Sequence, residues 1–301
     1  MPKSLSLLWN RERRRAHRAN WVMRVRVVVA FALAPVASLL GAMISDSMGI
    51  ALMAIMINLT VLVMAALYMR RTYRGILDRA LAPRNSVIIS SEAVPAITAL
   101  IARLSSLMLR EHETIQIRVA TADHSVGASV ISWRHITHII LPLGYLKVFE
   151  LDRGAAEAIL AHELSHIAQG DSRLWLVVEA YVRTIHKILI PVAWITAGVA
   201  LIIAVVNGAQ IGLGDLLRLA SGPILLWAFG YSARVIRRRS EFAADLGAAA
   251  SVGIEATCSA LRLICPSSEN LSDEGYVALK RLKRIESFHT GKTASSAALA
   301  A

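Results

Sequence analysis

Five consecutive residues, His162, Glu163, Leu164, Ser165 and His166, form the pattern H-E-x-x-H. Residues four apart lie on one face of a helix, so both imidazoles can bind a single metal ion. Glu163, next to His162, stands where a general base for an attacking water is needed. That combination is the core of a zinc hydrolase. The flanks permit the helix it requires, because Ile159, Leu160, Ala161, Ile167 and Ala168 are uncharged and no proline lies between Leu151 and Gln169. Asp152 is placed to cap the start of that helix and Gly170 to end it.

Two histidines leave a catalytic zinc site incomplete, since such sites take three protein ligands and keep a fourth position open. The best third candidate is Glu241, in the string Arg239, Ser240, Glu241, Phe242, Ala243, Ala244, Asp245. Glu241 and Asp245 are four apart and share a helical face, which suits a carboxylate ligand beside a second carboxylate that orients a ligand imidazole. His17, His112, His124, His135 and His138 have no partner at ligand spacing. Cys258 and Cys265 have no partner histidine at metal spacing and are read as structural.

The elements that must position these residues follow from periodicity. Ala93 to Leu109 is an amphipathic helix opening near Pro95, and Thr114 to Ala120 alternates Ile115, Ile117 and Val119 as a strand does. Val126 to Trp133 and Ile136 to Leu141 are two further β-like runs, so a small sheet is expected. Val235 to Ala250 and Ile254 to Ile264 are helical in pattern with Gly253 between them, and Glu274 to Phe288 is a last, basic helix. Cys265 to Asp273 reads as a loop, and the Ala/Ser-rich tail from Thr290 as disordered.

A hydrophobic fraction of 55% with 6% aromatic residues, and a mean hydropathy of +0.53, points to a membrane protein. Val27 to Ile44, Ile50 to Met69, Ile188 to Val206 and the shorter Leu219 to Ala233 are the four expected spans. The net charge of +12 is concentrated beside them, in arginines 11, 13, 14, 15, 18, 24 and 26, then 70, 71, 74 and 79, then 234, 237, 238 and 239. Clusters so placed exclude a nucleic-acid reading and put both termini and the central segment in the cytoplasm. The expected fold is thus a mainly α membrane protein, four transmembrane helices carrying a cytoplasmic α+β zincin-like metalloprotease domain. Its segments are a basic N-terminus (1–26), a first membrane hairpin (27–69), a protease segment with the H-E-x-x-H helix (70–187), a second hairpin (188–233), a helical segment with the third ligand (234–289) and the tail (290–301).

Two strings carry a family resemblance. Ala156 to Asp171, with HELSH between Ala-Ile-Leu-Ala and Ile-Ala-Gln-Gly-Asp, resembles the zinc helix of the HtpX-like integral-membrane metalloproteases. Arg238 to Asp245, with its E-x-x-A-D core, is similar to that family's second motif. The resemblance implies a zinc endopeptidase of the gluzincin type, with His162, His166 and Glu241 as ligands to one Zn2+, Glu163 as general base and Asp245 behind His162. It covers roughly residues 70–284 and has departures. Where family members carry an Asn-Ala pair this chain reads Ser125, Val126, Gly127, Ala128, and in place of a Ser/Thr-His-Pro it offers Ser287, Phe288, His289, Thr290.

The expected activity is cleavage of protein substrates, membrane proteins among them, at the cytoplasmic face of a bilayer of the bacterial inner-membrane type, in quality control or stress response. A dedicated processing peptidase and a catalytically silent membrane scaffold are the alternatives. Substrate backbone is expected to add as a strand along Val126, Gly127, Ala128, Ser129, Val130 and Ile131. For a donor to the developing oxyanion, His289, Tyr276 and His186 are the candidates.

Overall fold

The computed structural model describes residues 5–23, 25, 48–81, 86–90, 94–108, 114–133, 136–170, 172–206, 213–264 and 273–289. The chain divides into two units, one of Met1–Ala19, Asp78–Arg173 and Arg237–Ala301, the other of Asn20–Leu77 and Leu174–Ile236.

In the first unit, the alternating run becomes β2 (Thr114–Ala120), the parallel partner of β4 (Ile136–Pro142). β1 (Ser86–Ile88) pairs antiparallel with β2, and β3 (Ser129–Trp133) antiparallel with β4, giving the order β1-β2-β4-β3. β3 therefore ends the sheet, with one strand partner among the described residues. Helix α3 (Pro95–Met108) buries Ile97, Leu100, Ile101, Leu104 and Met108, the single stripe that a 3.6-residue period produces.

The H-E-x-x-H motif lies in the middle of α5 (Arg153–Gln169). Asp152 Oδ1 accepts the Ala155 N–H at 2.9 Å and satisfies one of the helix's orphan donors, while its Oδ2 accepts from Ser259 Oγ at 2.6 Å. Gly170 ends the helix in the left-handed region at φ 71, where a residue without Cβ is at no disadvantage. Its carbonyl end is further held by Arg13, on the helix at residues 5–23 (α1), whose Nε donates to Ala168 O at 3.1 Å. α4 (Leu143–Leu151) precedes α5, and buried Tyr145 donates from its hydroxyl to Ala156 O at 3.1 Å. α9 (Ile254–Ile264) packs along α5 and against α10 (Asp273–His289).

α8 (Leu213–Val252) brings the second motif to α5. The approach is made possible by Gly247, because a Cβ built there would sit 2.9 Å from Ser165 Cβ and 2.8 Å from Trp9 Nε1. Ser165 is short and fully buried, so it cannot swing clear. Gly247→Ala is therefore expected to destabilise the fold by about 1–2 kcal/mol, overpacking exceeding the gain in helix propensity. A lowered thermal unfolding midpoint checks it; an unchanged or raised midpoint refutes the close contact.

In the second unit, Met23, Leu174, Val178, Tyr181, Ile185 and Ala233 form a core. It contains most of α2 (Met48–Leu81) and α6 (Ser172–Thr184), a π-helical turn (Ile185–Leu189), α7 (Ile190–Val206) and the first part of α8. Large apolar side chains are exposed on α2 (Met56, Leu59, Val63, Met64, Leu67) and on α7 (Trp194, Ile195, Val199, Ile202, Val205, Val206).

The expectation of four transmembrane helices is corrected here. Among the described residues no helix is long and apolar enough to cross a membrane. The third apolar run falls in the π-helical turn and α7, and the described part of α7 is 17 residues, short of the roughly 20 that a bilayer core requires. The fourth is the middle of the 40-residue α8, flanked within that helix by Arg218 and Arg234. The second is continuous in α2 with Arg70, Arg71, Arg74 and Arg79. Run length in the sequence is thus not helix length: α7 is shorter than the run, whereas α2 and α8 continue past their apolar residues into arginines. Val27 to Ile44, the loop expected at Cys265 to Asp273 (through residue 272) and the tail from Thr290 lie outside the described residues. The α+β character of the protease segment stands in the sheet and its helices.

Candidate metal centre

α5 contributes His162, Glu163 and His166; α8 contributes Glu241 and Asp245; α10 contributes Arg281. The two Nε2 atoms of His162 and His166 are 3.2 Å apart, with the rings nearly perpendicular at 87°. Glu241 Oε2 lies 3.4 Å from His162 Nε2, and its Oε1 3.9 Å from His166 Nε2. One atom from each of His162, His166 and Glu241 falls within 4.8 Å of the others. Two imidazole nitrogens and one carboxylate oxygen converging in this way are a donor set that suits zinc. The residues present therefore fit the ion.

Behind the cluster, His162 Nδ1 donates to Asp245 Oδ1 at 2.9 Å. That bond fixes the ring and its tautomer, leaving the Nε2 lone pair directed at the cluster. Burial alone would lower the His162 pKa, but the hydrogen bonds to Asp245 and Glu241 push it up to about 10, so without a metal ion Nε2 holds a proton that a bound ion would displace. Burial opposes ionisation of Glu241 as well; the His162 hydrogen bond and the neighbouring positive charges outweigh it and hold the carboxyl well below the usual carboxylate range. Asp245 is likewise held low against its burial by Arg281 and His162. Glu163 moves the other way, since burial raises it by more than the two histidines lower it. A carboxylate raised toward neutrality is a better proton acceptor at working pH.

The sequence-derived site residues are distributed as follows. His162, His166, Glu241 and Asp245 are brought together, with Glu163 on the same helix. Of the six residues expected along the substrate strand, Ser129, Val130 and Ile131 belong to β3, whereas Val126, Gly127 and Ala128 precede it. Ala128, Val130 and Ile131 are buried, and β3 packs against α5. Among the proposed oxyanion donors, Tyr276 and His289 are on α10, and His186 is exposed in the other unit.

Arg281 is the residue that sequence reasoning missed. Its Nε and Nη2 donate to Asp245 Oδ2 and Oδ1, each at 2.7 Å, and its Nη1 lies 3.3 Å from Glu241 Oε2. A signal existed. Ala278, Leu282 and Ile285 form the buried stripe of α10, and position 281 falls on that stripe among them.

Two imidazoles with one glutamate ligand, and a second glutamate adjoining the first histidine, are the marks of a metallopeptidase. Comparison with protein families agrees with that class. The model of peptidase family M48 matches residues 95–287, and the chain belongs to that family. Protease HtpX of Vibrio vulnificus (strain YJ016) is 34% identical over 129 residues, 41% of this chain and 43% of that protein. Protease HtpX of Pectobacterium carotovorum subsp. carotovorum (strain PC1) is 33% identical over 141 residues, covering 42% and 45%. Protease HtpX of Serratia proteamaculans (strain 568) is 30% identical over 145 residues, covering 45% and 47%. The chain thus spans less than half the length of these curated relatives.

Proposed function

We propose that this chain is a zinc-dependent endopeptidase in which His162, His166 and Glu241 hold one zinc ion and Glu163 is the general base. The observation that carries the reading is the convergence of three ligand atoms within 4.8 Å, backed by Asp245 at 2.9 Å from His162. Bound zinc supplies Lewis-acid polarisation and stabilises negative charge at the scissile carbonyl. Glu163 takes one proton from the attacking water as the new C–O bond forms. It gives that proton to the amide nitrogen as the C–N bond breaks, so the carboxylate is regenerated. Asp245 keeps His162 oriented throughout. Substrate backbone pairs along Val126 to Ile131, the strand part of which is at the end of the sheet.

The exposed apolar faces of α2 and α7 support a further part of the proposal, association of the chain with a membrane surface. Protein substrates, membrane proteins among them, are then met there, in quality control or the stress response. One experiment tests both parts. Membrane and soluble fractions from cells producing the full chain are assayed for internal cleavage of an unfolded protein, with a zinc chelator and after zinc is returned. Cleavage confined to the membrane fraction, abolished by chelation and restored by zinc, is the expected result. Chelator-insensitive or absent cleavage refutes the enzyme, and cleavage found only in the soluble fraction refutes the membrane association.

A further inference from the structure

We infer that Arg281 is a positioning residue of the metal site, fixing Asp245 and, through it, the imidazole of His162. The inference rests on the zinc reading and goes beyond it by adding a residue that neither motif contains. α10 carries Lys280 and Lys283 on its exposed side, whereas the Arg281 side chain is 16% exposed and turned into the site. Its guanidinium meets Asp245 with two parallel bonds of 2.7 Å. This fork-on-carboxylate geometry is the arrangement that only arginine can make.

Three features make the contact more than a strut between α8 and α10. Asp245 is 2% exposed in its side chain, and a carboxylate so buried is costly without a counter-charge. The oxygen that accepts from Arg281 Nη2, Oδ1, is the same oxygen that accepts from His162 Nδ1. Arg281 Nη2 also lies 3.5 Å from both ring nitrogens of His162, and Nη1 reaches toward Glu241. The guanidinium thus holds the support of one proposed ligand, His162 on α5, and reaches a second proposed ligand, Glu241 on α8, directly. Removing it frees Asp245 to rotate, and with Asp245 the tautomer and aim of His162.

A bare structural role and a positioning role differ in what they couple to. The test is a chelator-competition titration of zinc into the purified full chain, for wild type, Arg281→Lys, Arg281→Met, Asp245→Ala and the Asp245→Ala/Arg281→Met double variant. Arg281→Met should weaken zinc binding by about tenfold or more, the range seen when partners behind metal ligands are removed. Arg281→Lys should recover only part of the loss, because an ammonium cannot bridge both carboxylate oxygens. In the Asp245→Ala background the arginine substitution should cost much less than it does in wild type, the sign of two residues that act largely as one. Wild-type zinc affinity in Arg281→Met, or a loss that adds in full to that of Asp245→Ala, overturns the inference. Should Arg281→Met not fold, Arg281→Lys decides alone, and undiminished affinity in that variant overturns it. A wild-type chain that binds no zinc overturns the metal-site reading itself, a result distinct from either.

Discussion

Glu163→Gln retains its zinc and loses about 10²–10⁴-fold or more in turnover, the range that a positioned general base contributes. The amide has nearly the shape of the carboxylate, so packing around α5 is preserved. What it lacks is basicity. Glu163 is not among the ligand atoms that converge between His162, His166 and Glu241, so metal content should not follow activity. The environment shows why the carboxylate matters, since burial raises its pKa while the two histidines beside it pull it down. Single-turnover rates on one protein substrate, beside metal analysis of the same preparation, check the result. Turnover within threefold of wild type would remove Glu163 from the mechanism, and loss of zinc would reassign it as a ligand.

The legible parts of this fold were those fixed by neighbouring residues. Alternation at Ile115, Ile117 and Val119 marks β2, and the cap at Asp152 with the left-handed Gly170 brackets α5 to within a residue of its observed ends. The convergence of His162, His166, Glu241 and Asp245 was readable because each half is a local pattern, four apart on a helix. What joins the halves is not local. α8 can approach α5 only because Gly247 stands opposite Ser165, and no periodicity announces that pairing. Arg281 shows the same limit in part: the apolar spacing of Ala278, Leu282 and Ile285 puts position 281 on the inner face of α10, but only the docked helix shows that its partner is Asp245. The short β1 and α4 were missed because three and nine residues carry too little pattern. The transmembrane count failed for another reason. Apolar composition measures how much surface avoids water, whereas a span also needs a helix of sufficient length and apolarity. The described part of α7 is 17 residues, and α8 runs unbroken from apolar residues into the charged half that carries Glu241 and Asp245.

Glu241→Ala should lose most of its zinc and, with it, nearly all activity. Glu241 is the only one of the three proposed ligands that α5 does not supply, so its removal leaves two imidazoles on one helix to hold the ion. Two nitrogens bind far less tightly than the three ligands that catalytic zinc sites use, and the loss should exceed the roughly 10–100-fold produced by removing an outer partner. The carboxylate is 24% exposed and held ionised against its burial by His162, His166 and Arg281, so truncation leaves those three cationic or polar groups facing one another. Arg281 then keeps only Asp245 as its ion-pair partner among the described residues. The fold should survive, because Glu241 is not in the apolar core and α8 is anchored by Phe242, Leu246 and Ala248. Glu241→Gln separates charge from contact, since the amide oxygen can still reach the ion but brings no negative charge. It should fall between wild type and Glu241→Ala in zinc affinity. About one zinc per chain in wild type and little in Glu241→Ala, with unchanged helical content, is the expected pair of measurements. Full zinc in Glu241→Ala would mean that the third ligand is another residue, and the convergence of α5 and α8 would then need a different explanation.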